Sequence, residues 1–320
     1  MRVMLLGATG TAGRAVLDAL LADGHEVVAL HRGPLPDLPP KPRLLLRESD
    51  ASNPASLTDQ GFRGELFDAL VTCLASRTGA PDDAWAVDYR ANADALRLAG
   101  EAGVRHVVAM SAICVQKPLL EFQKAKLALE AEIAASGLDY SIVRPTAFFK
   151  SLSGQIDRVR RGKPFLLFGN GASTRCKPIS DRDLGRFMAS CLNDPDKRNR
   201  ILPVGGPGPA ITPQEQGEAL FRLTGRTPRF RHVPVAMFDG VGRLLRLGGV
   251  VSKDLRTKAE LARIGKYYAT ESMLVWNAKT GRYDADATPE FGQDTLFGHY
   301  AEVLKNDRCV DLGAHRVFGK

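Results

Sequence analysis

Apolar residues fall in short unbroken runs, separated by stretches where they recur every three or four positions. The first run is residues 2–7 (RVMLLG) and the second residues 26–30; others stand at 43–46, 69–74, 104–110 and 140–143. A run that is apolar at consecutive positions suits a strand buried on both faces, as strands of a parallel sheet are. Between the runs the spacing predicts helices over 14–22, closed by Gly24, over 83–102 and over 122–135. Strand and helix in alternation predict an α/β fold, a doubly wound parallel sheet of the Rossmann kind.

After Pro145 the texture changes. Gly/Pro-rich pieces (residues 162–164 and 205–209) separate short strands from helices such as 213–224, and residues 165–168 and 201–204 either extend the sheet or form a small satellite. No repeat and no flexible linker marks a boundary. The expected division is a nucleotide-binding domain over 1–150, a smaller C-terminal substrate-binding lobe over 151–304 interleaved with the sheet, and a flexible tail over 305–320.

Composition narrows the class. The 320 residues are 44% hydrophobic and 25% charged, ordinary for a soluble globular protein. The first residues run straight into a strand, which predicts no signal or transit peptide. The most apolar long stretch, 235–251, carries Asp239, Arg243 and Arg246 and does not read as a membrane span. Five scattered cysteines with no CxxC predict reduced thiols and no structural metal.

Charge is uneven. Residues 1–150 hold 16 Lys/Arg against 18 Asp/Glu, and 151–320 hold 28 against 18, so the net +8 sits in the second half. Clusters such as Arg158, Arg160, Arg161 and Lys163, or Arg226, Arg229 and Arg231, form either a solvated face or a surface for a carboxylate ligand or an anionic membrane. No recognition motif accompanies them, so nucleic acid is not an expected partner. Met237, Val241, Leu244, Leu245 and Gly248 share a helical stripe that Arg243 and Arg246 avoid. Such a stripe lies on the protein core or on a membrane surface.

The candidate chemistry begins after the first strand. Gly7, Thr9, Gly10, Thr11, Ala12 and Gly13 form a glycine turn that opens a helix. Glycines there let a pyrophosphate approach the backbone, and the helix N-terminus offers N–H groups to its charge. At the end of the second strand, where NAD sites carry an acid, stands Arg32. Its guanidinium cannot accept from a ribose hydroxyl but clamps a 2′-phosphate, which predicts NADPH. Asp50 after the third strand is expected at the adenine, and Ala75 and Ser76 after the fourth, with Pro145 after the sixth, complete the cofactor set.

These features resemble the short-chain dehydrogenase/reductases, whose carbonyl-reducing members use a Ser with a Tyr four residues before a Lys. That spacing puts Tyr and Lys on one helix face. Ser111 and Lys126 match, but Phe122 stands at the tyrosine position, and a phenyl ring moves no proton. The segments RPTAFFKS, KPISDRDLG, GKPFLLFGNG and GRYDADATPEFGQDTLFGHY resemble an atypical branch, the NADPH-dependent 3,8-divinyl chlorophyllide 8-vinyl reductases, and the likeness runs from residue 1 to about 304. It implies reduction of a vinyl group in chlorophyll or bacteriochlorophyll synthesis, in the cytoplasm or at the surface of a photosynthetic membrane. It implies Lys126 and Ser111 as catalytic residues, with Thr146, Phe148, Phe149 and Phe122 facing a flat tetrapyrrole substrate. Two rivals stay open: a non-catalytic NADP(H)-sensing or assembly protein on the same fold, and another NADPH-dependent reductase of the isoflavone-reductase-like type.

Overall fold

The structure, a computed structural model, describes residues 1–34, 41–249 and 252–306. Strands run β1 (Arg2–Leu6), β2 (Glu26–His31), β3 (Leu44–Glu48), β4 (Ala69–Thr72), β5 (His106–Met110), β6 (Asp139–Pro145), β7 (Phe165–Phe168), β8 (Arg200–Val204), β9 (Phe230–Val233), β10 (Val275–Asn277) and β11 (Arg282–Asp284). The longer helices are α1 (Thr11–Ala22), α2 (Asn92–Glu101), α3 (Glu121–Ala135), α4 (Asp181–Ser190), α5 (Pro213–Leu223), α6 (Ala236–Gly249), α7 (Lys253–Thr270) and α8 (Leu296–Lys305). Two compact units result: Met1–Pro145 with Asp181–Pro203, and Thr146–Ser180 with Val204–Lys320.

The first unit carries the sheet, ordered β3-β2-β1-β4-β5-β6-β8, with parallel pairing from β3 through to β6. Alternate strand residues Met4, Leu6, Val28, Leu30, Leu70 and Val107 share a core with Leu96 of α2 and with Leu129 and Ile133 of α3. Val3, Leu5, Val27 and Ala29, on the opposite face, are buried as completely. Burial on both faces is why these strands read as unbroken apolar runs. Helix α4 packs against α1, so a segment from beyond residue 150 returns to this unit.

Local departures from the predicted elements have physical causes. The third strand starts at Leu44 because Arg43 has φ of 64°, outside extended backbone. Helix α1 starts at Thr11 rather than residue 14, as Gly10 already serves as its N-cap. The helix expected over 83–102 is divided: a π-helical segment, Ala84–Ala91, precedes α2.

In the second unit β7 pairs in parallel with β9, and β10 with β11 forms an antiparallel hairpin. The residues around 165–168 thus form a satellite, while those around 201–204 join the main sheet. Phe230 packs against Phe165 and Phe221, and the Tyr300 hydroxyl donates to the Leu152 carbonyl at 2.8 Å from a fully buried ring. Of the predicted stripe on α6, Met237 is exposed and Leu245 half-buried; Val241, Arg243, Leu244, Arg246 and Gly248 lie outside the residues whose side chains are described. Residues 307–320 of the expected tail, Cys309 included, also lie outside the described residues. Among the described residues no helix is long and apolar enough to cross a membrane.

Candidate active site

The order β3-β2-β1-β4-β5-β6 reverses direction between β1 and β4, and their carboxyl ends open the crevice where α/β sheets take ligands. Gly7 leaves β1 with φ of 78°, and a Cβ there would sit 2.7 Å from the Cys73 carbonyl carbon, after β4. At Gly13 a Cβ would fall 2.0 Å from the Gly7 carbonyl oxygen. The turn therefore closes only with hydrogen at both positions. Gly10 caps α1 with no side-chain bond, and the helix has no acid in its first turn. Thr9, Thr11 and Ala12 complete a backbone cradle at a helix N-terminus, which is the geometry an anion needs.

Around the cradle, Arg32 is exposed after β2 and makes no ion pair among the described residues. Its neighbour His31 is tied through Nδ1 to the Gly33 carbonyl at 3.0 Å. Asp50 is half-buried and uses Oδ1 to accept from the Ser52 amide at 2.9 Å, bracing its own loop. Ala75 is exposed and Ser76 half-buried beyond β4. These residues can hold a dinucleotide: the cradle takes a pyrophosphate, and Arg32 has its guanidinium available for a phosphate.

Helix α3 supplies the polar groups. Phe122, Lys126 and Glu130 follow at intervals of four, hence on one face. Phe122 is half-buried, whereas Lys126 and Glu130 are buried. The Lys126 ammonium lies 3.0 Å from Asp88 Oδ1, and Asp88 Oδ2 accepts from the Ser76 hydroxyl at 2.6 Å. Glu130 accepts from Arg144 Nε at 3.0 Å, from Arg144 Nη2, and from the Ser111 hydroxyl. Ser111 thus stands at the sheet's carboxyl edge with its hydroxyl hydrogen-bonded to Glu130. Burial pushes the Cys73 thiol up to about 12, against the pull of the Lys126 charge, so it stays protonated at neutral pH. Gln123, fully buried, accepts from the Leu120 amide at 2.9 Å and donates to the Cys114 carbonyl at 3.0 Å, which pins the start of α3.

Pro145 closes β6 in the first unit; Thr146, Phe148 and Phe149 belong to the second. The Thr146 hydroxyl donates to the Lys177 carbonyl, and Phe148 is half-buried beside Ile179. Phe149 is buried with its ring centroid 5.5 Å from His299, and so spends its face within the unit's own core. Asp88, Glu130 and Arg144 were not among the expected site residues. Asp88 carried a readable signal, since it falls on the apolar helical stripe of Ala84, Ala91 and Ala95, where an acid is out of place unless paired. Among the described residues no cluster of His, Cys, Asp and Glu fit for a metal ion occurs.

A family model described as NAD(P)H-binding matches residues 7–195. A Zea mays protein named divinyl chlorophyllide a 8-vinyl-reductase, chloroplastic, is 45% identical over 99% of this chain and 82% of its own length. The Arabidopsis thaliana protein of the same name is 41% identical over 95% of this chain and 77% of its own. Among solved structures, an NADPH-dependent quinone oxidoreductase from Escherichia coli in complex with NADPH has a TM-score of 0.67 at 16% identity, covering 94% of this chain and 99% of its own. At that identity the likeness is one of fold.

Proposed function

The chain belongs to the divinyl chlorophyllide a 8-vinyl-reductases, within the wider NAD(P)H-binding family, and from that membership we propose that it reduces the 8-vinyl group of a divinyl chlorophyllide or protochlorophyllide to ethyl with NADPH. The observation that carries this reading is identity above 40% over almost the whole chain. Phe122 supports it chemically. Reducing a vinyl group leaves no alkoxide oxygen to protonate, so the phenol of carbonyl-reducing relatives has no task here.

Bound NADPH would supply the hydride, and the second hydrogen would arrive as a proton from solvent. The protein's own share is binding and orientation. The Gly7–Gly13 turn and the N-terminus of α1 hold the pyrophosphate, Arg32 the 2′-phosphate, and Asp50 the adenine end. Lys126 orients the nicotinamide ribose, with Ala75, Ser76 and Pro145 beside it. Because the Ser111 hydroxyl donates to Glu130, Ser111 steadies the end of β5 rather than delivering a proton. In the first unit Phe122 is assigned to the pigment; in the second Thr146 and Phe148 are, while Phe149 is buried against His299. Arg161, Lys163, Arg229 and Arg231, all exposed, suit the pigment's propionate or a peripheral contact with an anionic membrane.

The test is turnover by the purified protein of divinyl chlorophyllide with NADPH, followed by chromatographic separation of monovinyl product. One monovinyl pigment per NADPH consumed is expected. Nucleotide binding without any pigment reduction would overturn the assignment in favour of a sensing or assembly role.

A further inference from the structure

The Lys126–Asp88 pair does something the reaction type alone does not require, and its role rests on the nicotinamide site proposed above. The pair is nearly sealed, with side-chain exposures of 10% for Lys126 and 1% for Asp88 and 3.0 Å between Nζ and Oδ1. Three segments meet there: α3 brings Lys126, the π-helical segment brings Asp88, and the loop after β4 brings Ser76, which donates its hydroxyl at 2.6 Å and its amide at 3.4 Å to the carboxylate. Asn92 fixes the π-helical segment, since its amide donates to the Val87 carbonyl at 2.8 Å while its oxygen accepts from Thr72. Glu130, one turn along α3, is not the counter-charge to Lys126, because Arg144 already holds both its oxygens.

In a site with a tyrosine at position 122, an uncompensated ammonium serves to favour the phenolate. With Phe122 that service is void, and the bare charge becomes a liability. A nicotinamide ring turns from neutral to cationic as it gives up hydride. A positive charge held at its ribose, in a site of low dielectric, opposes that change. We propose that Asp88 is a positioning and charge-balancing residue: it fixes the Lys126 ammonium for the ribose and cancels its field, so that the oxidised cofactor is not penalised relative to the reduced one.

The discriminating measurement is binding, not turnover. Affinities for NADP⁺ and NADPH are measured separately, by calorimetry or fluorescence, on the unaltered protein and on Asp88→Asn, with thermal melting to check folding. The expected result is that NADP⁺ binding weakens by about tenfold more than NADPH binding, the scale of one nearby charge at an intermediate dielectric. Under substrate saturation kcat falls more than KM for NADPH rises. The double variant Asp88→Asn/Lys126→Gln removes both charges, and in it the ratio of the two affinities returns towards the starting value even though both are weaker. Equal weakening of the two forms in Asp88→Asn, or no weakening, would reduce Asp88 to a structural residue and overturn the proposal. Failure of the unaltered protein to bind either nucleotide would overturn the site itself and the proposal with it, an outcome distinct from failure in the variants alone.

Discussion

A phenyl ring stands at position 122, four residues before Lys126, so the task proposed for the lysine is to orient a ribose, with no proton transfer to assist. Lys126→Ala is therefore expected to lower kcat/KM about 100-fold, the scale of a misplaced reactant. Phe122→Tyr changes it far less, since the chemistry has no use for a phenol; steady-state kinetics with divinyl chlorophyllide checks both. A large gain from the tyrosine would contradict the vinyl-reductase proton accounting. The proposed NADPH preference rests in the same local fashion on Arg32. It stands exposed where an acid would accept from a ribose hydroxyl, so NADPH is expected to be preferred over NADH by more than about tenfold. Arg32→Asp should erode that preference through KM rather than kcat, and equal use of both cofactors by the unaltered protein would refute it.

Elements carry the sensitivity to pH. His25 stands just before β2 and His106 opens β5, both buried at the amino edge of the sheet. Burial is the main cause holding each imidazole below its ordinary 6.5, with a smaller push on His25 from the chain's amino terminus and on His106 from Arg198. The folded protein thus keeps both rings neutral at a pH where the unfolded chain protonates them. Their contribution is intact above 6.5, and stability is lost as pH falls below it through the depressed folded values. Denaturant midpoints should drop between about pH 7.5 and about pH 5.5. His25→Phe should flatten part of that slope, because neither ring nitrogen of His25 has a hydrogen-bond partner among the described residues. A midpoint that rises on acidification would refute the assignment. The π-helical segment also acts at the scale of elements. Its wider turn brings Asp88 to Lys126, an arrangement the apolar stripe of residues 84–99 hints at but does not specify.

Across the whole molecule the charge division has a consequence. Arg161, Lys163, Arg229 and Arg231 are exposed in the second unit, and a hydrophobic pigment partitions near membranes. The protein is expected to sediment with anionic vesicles at low salt, to release at high salt, and to bind less as Arg229→Glu/Arg231→Glu. Retention wholly in the supernatant at low salt would remove the membrane from the account and leave these residues a solvated face.

What was legible in the sequence is what short-range chemistry dictates. Strand, glycine turn and helix follow one another within the first 22 residues, so the steric demand at Gly7 and Gly13 is met by neighbours in the chain. Lys126 and Phe122 share a face through helical spacing alone, and the expectation of NADPH rests on one position, Arg32. An interleaving of the second lobe with the sheet was legible, but not that Asp181–Pro203 is the segment that returns, nor the Ser111–Glu130–Arg144 network. Nor was the pairing of Asp88 with Lys126. Each joins residues from different elements, and hydrophobic periodicity says which face of a helix is buried without saying which buried polar group it will meet. Only the packed sheet, by bringing the ends of β4 and β5 beside α3, decided those partners, because an ionised side chain removed from water is held where an opposite charge or a donor closes around it.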